Sequence, residues 1–155
     1  MPGYFRMRRD LSMPIAAVPF PRGLSVLAFT ADVAPACRDL MNSCYGEVGY
    51  EPVAFEQWYT ELNADAEYDA ALMQVVADDD AVVGFCHCWT VPFVKDVVVA
   101  ASFRKRGLGT AMMTTALEIF AARGAACIDI KTDVENTGAQ AIYRRLGFEM
   151  VERVG

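Results

Sequence analysis

Residues 103–113 read FRKRGLGTAMM: Arg104, Lys105 and Arg106 run into Gly107-Leu108-Gly109 and then into apolar residues. A strand-like VKDVVVA (94–100) comes before. A helix is predicted after it, over 107–123, with Leu108, Met112, Ala116 and Ile119 on one stripe and Gly124 as its stop. A strand that passes through glycines into a helix makes an anion site. The first N–H groups of the helix lack chain partners, they carry the positive end of its dipole, and glycine lets a phosphate approach the backbone. Taken alone, Gly-x-Gly is equally a tight turn with solvated basic neighbours. A dinucleotide fingerprint is broken by Met112 at its third glycine, and no Gly-Lys-Ser/Thr makes the stretch a P-loop.

The 155 residues suit one domain with a full core. A net charge of −6 leaves no broad basic face, so nucleic acid is not an expected partner. Positive charge is local instead, at Arg6/Arg8/Arg9 and at 104–106, which suits a small anionic ligand. No apolar run reaches the ~18 residues of a membrane span. The basic start is interrupted by two prolines and Asp10, and reads as an extension and not as a signal peptide. Five cysteines, an odd number in apolar settings, point to reduced core residues in the cytoplasm. Cys86-His87-Cys88 lies within a strand, where alternation separates His87 from the two sulfurs, and no metal site is expected there.

The chain divides into an N-terminal extension, 1–23, and a single domain, 24–155. The extension carries a short strand, Tyr4–Arg9, and a Pro-rich connector. A strand over 24–30 and a helix over 33–45, capped by Asp32 or Thr30, come next, then a helix over Phe55–Leu62. ALMQVVA and AVVGFCHCWT flank an acidic turn as a hairpin. AACIDIKTDV (125–134) is a strand, 137–146 a helix stopped by Gly147, and Phe148–Arg153 a last strand. Hairpin-linked strands first and strand–helix–strand crossovers second imply an α/β or α+β domain of three layers, helices on both faces of a mixed sheet.

Val97-Val98-Val99, Arg104-x-x-Gly107-x-Gly109 and, a helix and a strand later, Asn136-x-x-Ala139-x-x-x-Tyr143-x-x-x-Gly147-Phe148 together resemble the GNAT superfamily of N-acyltransferases. The RMRRDLS start and Tyr45-Gly46 look like GNAT domains related to mycothiol synthase. The resemblance implies a mostly antiparallel central sheet and transfer of an acetyl group from acetyl-CoA, as co-substrate, to an amine in a ternary complex. It implies a pyrophosphate cradle at Arg104, Lys105, Arg106, Gly107, Leu108, Gly109 and Thr110. The pantetheine arm would pair with Val97 and Val99, and a backbone N–H at Val98 or Val99 would meet the oxyanion. Tyr143 would face the sulfur as acid. Asn136 would contact the CoA arm or cap its helix. Asp96 is the expected base, with Asp133, Glu135, His87 or a water relay as alternatives.

GNAT domains have two strands after the last helix, and this sequence supplies one. A missing last strand is therefore expected, its open edge covered by Tyr4–Arg9 or by a second subunit in a homodimer. For the acceptor pocket, Tyr45, Tyr50, Trp58, Tyr59 and Trp89 are candidates, with Glu47, Glu51 or Glu56 to attract an amine; the same aromatics equally complete a core. The alternative function is a non-catalytic acyl-CoA-binding or sensing module.

Overall fold

The computed structural model describes residues 3–155. Seven strands, β1 (Tyr4–Asp10), β2 (Ser25–Leu27), β3 (Met73–Asp78), β4 (Ala81–Trp89), β5 (Phe93–Val99), β6 (Cys127–Asp133) and β7 (Phe148–Val154), form one sheet in the order β2-β3-β4-β5-β6-β1-β7. Every neighbouring pair is antiparallel except β5–β6, which the crossover helix α3 (Leu108–Ala122) makes parallel. Helices α1 (Ala34–Gly46) and α2 (Phe55–Ala64) cover one face, and α3 with α4 (Thr137–Arg145) covers the other. Among the described residues no helix is long and apolar enough to cross a membrane.

Strand alternation builds a core on each side of the sheet. Val76, Cys86, Cys88, Ile128, Ile130 and Met7 pack under α3, whose Leu108, Met112, Ala116 and Leu117 are fully covered. Val75, Phe85 and Val98 point the other way, against Cys37, Met41, Trp58 and Leu62. The predicted strand over 24–30 shortens to Ser25–Leu27 because only that part pairs with β3, and Phe29 then turns into the α1–α2 core. Neither Asp32 nor Thr30 caps α1 with its side chain. The Thr30 carbonyl accepts from Val33 and Ala34 instead, and Pro35 in the first turn needs no partner.

The sheet is not short of a strand, and of the two coverings expected it is the Tyr4–Arg9 segment that fills the gap. β1 lies inside the sheet, paired with β6 from Tyr4↔Asp133 to Asp10↔Cys127 and with β7 from Tyr4↔Val154 to Arg9↔Phe148. β6 and β7 are joined by a crossover and so run parallel, one strand apart, and β1 occupies the gap. The N-terminal strand thereby completes seven strands, and β7 becomes the edge. Charge fixes this register: the Arg8 guanidinium forks onto Asp129 (2.8 and 3.0 Å), and Arg6 reaches Glu152 at 3.4 Å.

Arg9 is 5% exposed and has no carboxylate partner among the described residues. Its guanidinium donates to the carbonyls of Leu146, Asp10, Met13 and Pro14, so one side chain ties β1 to the connector and to the last turn of α4. Gly147 turns away at φ +95°, and a Cβ there would stand 2.6 Å from Arg9 Nε. Arg9→Gln, which strands several buried carbonyls, is expected to destabilise the chain by about 2–4 kcal/mol in urea unfolding. A loss below about 0.5 kcal/mol would show that β1 is not held this way.

Candidate functional site

The site begins with a fault in the sheet. The pairing of β4 with β5 passes from His87↔Asp96 to Cys88↔Val94, so Lys95 is an extra residue, a β-bulge. β5 pairs with β6 only at Phe93↔Asp129 and Val94↔Ile130, and beyond the bulge the two strands separate. Ala100 N–H donates to the Val83 carbonyl, so in this register Val98 exchanges bonds with β4, whereas Val97 and Val99 turn theirs toward the split. Of the two N–H groups expected as oxyanion donors, the one at Val99 faces the opening and the one at Val98 does not.

Three cavities lie along this split. One of about 590 Å³ is lined by Val97, Val99, Arg104, Gly107, Gly109, Thr110 and Tyr143. One of about 300 Å³ shares Val97 and Tyr143 with it and continues between Val94 and Ile130. The third, about 920 Å³, shares Tyr45, Lys95, Asp133 and Asn136 with the second and opens under α1 beside Asp96, Tyr50 and Glu51. The three cavities therefore adjoin in a row from the glycine turn to the C-terminal half of α1.

At the first end, Gly107 precedes α3 at φ +87° with no side-chain cap, and Lys105 is also left-handed at φ 62°. The first N–H groups of α3 are thus presented to the 590 Å³ cavity and not to the chain. A phosphate group fits such a cradle. Arg104 contributes less free charge than its sequence position implies. Its guanidinium forks onto Glu47 at 2.9 and 2.8 Å, and its Nε donates to the Val99 carbonyl at 3.0 Å. Arg106 lies over the Phe103 ring, 4.9 Å from its centroid. Lys105 and Arg145 of α4, which line this cavity, remain with the backbone to face an anion.

In the middle stands Tyr143, half-buried between two cavities, its ring against Phe148. Burial pushes its hydroxyl up to about 12, with a smaller push from Cys86, so it stays protonated at neutral pH. Asn136 caps α4, its side chain accepting from Ala139 N–H at 3.1 Å, and it also lines the two cavities nearer α1.

At the far end Asp96 is 8% exposed and accepts from the Tyr45 hydroxyl at 2.5 Å. Lys95 Nζ is 3.4 Å and His87 Nδ1 3.7 Å from its other oxygen. Burial opposes the Asp96 charge, but the neighbouring His87 ring, the Lys95 ammonium and the Tyr45 hydrogen bond outweigh it and hold the carboxyl below the ordinary range. Burial and the neighbouring carboxylate push the Tyr45 hydroxyl upward, so Tyr45 is a permanent donor to Asp96. Neither His87 nitrogen has a hydrogen-bond partner, and the ring lies on the face away from Cys86 and Cys88, whose sulfurs are 4.0 Å apart.

Of the acceptor candidates read from sequence, Tyr45, Tyr50 and Glu51 line the cleft. Trp58 and Tyr59 join the α2 core, Trp89 stacks on Phe93, and Glu47 is engaged by Arg104. Arg38 is a cleft residue that the sequence reading did not single out. The signal was present: it sits among Cys37, Leu40, Met41 and Cys44 on the buried stripe of α1, where a charged residue needs a reason.

Known proteins share this fold and family. An uncharacterized N-acetyltransferase of Methanocaldococcus jannaschii is 32% identical over 115 residues, covering 68% of this chain and 50% of the relative. A mycothiol acetyltransferase of Clavibacter michiganensis is 28% identical over 134 residues, 84% of this chain and 44% of the relative. The chain thus spans about half the length of the curated relatives it matches. The crystal structure of a GCN5-related N-acetyltransferase from Sphaerobacter thermophilus superposes with a TM-score of 0.83 at 23% identity, over 99% of this chain and 50% of that one. The model of the acetyltransferase (GNAT) family matches residues 34–148, which hold α1, the β5–β6 split, the glycine turn and Tyr143, and this chain belongs to that family.

Proposed function

We propose that the chain moves an acetyl group from acetyl-CoA to a primary amine, both bound at once in the split between β5 and β6. The observation that carries this reading is the row of adjoining cavities: an anion cradle, a protonated tyrosine and a buried carboxylate lie in line along it. When bound, acetyl-CoA supplies an activated thioester. In this reading Gly107, Leu108, Gly109 and Thr110 offer backbone N–H groups to the pyrophosphate, and Lys105 and Arg145 add charge. Arg104 holds the turn by joining Glu47 of α1 to the end of β5. Val97 offers its free backbone groups on the edge of β5 to the pantetheine amides, and the N–H of Val99, whose carbonyl is taken by Arg104, meets the negative charge that develops on the carbonyl oxygen.

The two ends of the cleft divide the proton work. With its ammonium proton gone, the amine nitrogen forms a bond to the acetyl carbon, the C–S bond breaks, and Tyr143 gives its hydroxyl proton to the departing sulfur; the second proton, shed by the acylated nitrogen, returns to the Tyr143 phenolate through cleft water. A phenol pushed up to about 12 keeps that proton until it is called on. Asp96 receives the acceptor as an ammonium and accepts its proton directly or through cleft water. Because its carboxyl is held low, Asp96 stays ionised throughout the working range. The ionisation seen in the rate is then that of the amine.

Release of free CoA thiol from acetyl-CoA against a panel of primary amines tests the reading. Turnover with at least one amine is expected; tight acetyl-CoA binding with no thiol release across the panel would favour a sensing module. Tyr143→Phe and Asp96→Asn are each expected to lower kcat by about 10²-fold with CoA affinity little changed. Loss of CoA affinity in place of kcat would remove both from proton transfer. The kcat/KM profile should rise with pH to the pKa of the chosen amine, moving when a less basic amine is used, and should show no alkaline fall below about pH 11. An acid limb that stays fixed for every amine would instead point to a group of the protein.

A further inference from the structure

We infer that Arg38 reads a carboxylate on the acceptor, so that the amine substrate is an amino acid or another amine carrying a carboxylate group. This rests on the reading above and names the substrate class of the same cleft. Arg38 is 6% exposed, projects from α1 into the 920 Å³ cavity that also holds Asp96, and has no carboxylate within ion-pair distance among the described residues. Only its Nε is hydrogen-bonded, to Asn42 Oδ1 at 3.0 Å. Asn42 is itself fixed, donating to the Val53 carbonyl and accepting the Val53 N–H, both at 3.0 Å. The ring of Trp58 lies beneath the guanidinium, 5.6 Å from its carbon. The fork is therefore oriented on one edge and one face, and both terminal nitrogens have no protein partner.

A guanidinium desolvated this far, with no direct ion pair and only the longer-range charge of Asp96 to balance it, costs stability, and the cost is recovered when an anion arrives. The same cavity holds the opposite sign. Asp96 is buried in its wall, and Glu51, Asp133 and Glu135 also line it. Two charges of opposite sign in one cavity match a zwitterion: the ammonium goes to Asp96, beside the split, and the anion goes to Arg38, farther under α1. Lys95 is the other cation in the cavity, and it leans on Asp96. With four carboxylates around it, the pocket suits a monoanionic carboxylate, whose planar pair of oxygens matches the free guanidinium edge, better than a phosphate dianion.

Matched pairs decide the question. L-amino acids and their C-terminal amides, with O-phosphoethanolamine as the phosphate arm, are compared as acceptors by thiol release and as ligands of the CoA-loaded protein by isothermal titration. The acid should be preferred over its amide by about 10–100-fold in kcat/KM and in affinity, as loss of a charge-assisted pair predicts. Arg38→Lys and Arg38→Gln should shrink that ratio toward one, through KM and not kcat, with CoA affinity as the folding control. Equal use of acid and amide by the unaltered protein overturns the inference while leaving acetyl transfer standing, and preference for O-phosphoethanolamine overturns the carboxylate. If no amine releases thiol, the reading of the function fails; the titration still judges Arg38, and absent or equal binding of acid and amide overturns it.

Discussion

The separation of β5 from β6 is the constraint on which the rest of the structure depends. A single extra residue, Lys95, interrupts the β4–β5 ladder, and after Val94 the parallel pair comes apart. A continuous sheet would satisfy every backbone group of β5 and leave no cleft. The split instead leaves Val97 and Val99 with backbone groups directed at open space, brings Tyr143 to one side, and lets Asp96 turn toward α1. In the proposed reaction the two substrates meet in this opening, through the sheet and not across its surface.

Charge is used sparingly around that opening. The two basic clusters that mark the sequence are largely committed within the chain. Arg6 and Arg8 pair with Asp129 and Glu152, Arg9 gathers four carbonyls, and Arg104 clasps Glu47. These contacts hold β1 in the sheet and the glycine turn against α1. The guanidinium edge that faces the cavity under α1 is that of Arg38, outside either cluster. A count of basic residues along the sequence therefore passes over the arginine that lines this cavity.

The element order, the crossover half and the cradle were legible in sequence because they depend on local signals. Glycines at 107, 124 and 147 all take positive φ, and apolar stripes define α3 and α4. The place of β1 was not legible. Tyr4–Asp10 reads as a strand, but nothing within it says that it inserts between β6 and β7, since that follows from pairing across more than a hundred residues. The bulge at Lys95 was hidden for a similar reason: VKDVVVA alternates well enough as a regular strand. Its consequence, Asp96 facing Tyr45 and the acceptor cavity while Val97 and Val99 face the split, appears only once the partner strand fixes the register.

The account's central claim is that the donor enters the split with its phosphates at the start of α3. Amide chemical-shift perturbation in the ¹⁵N-labelled chain, titrated with CoA, tests it most directly. The largest shifts should fall on residues 105–110 and on Val97 and Val99, with smaller ones at Tyr143 and Asn136, and little change along β2 and β3. Saturable shifts confined to other surfaces, with residues 105–110 unmoved, would contradict it.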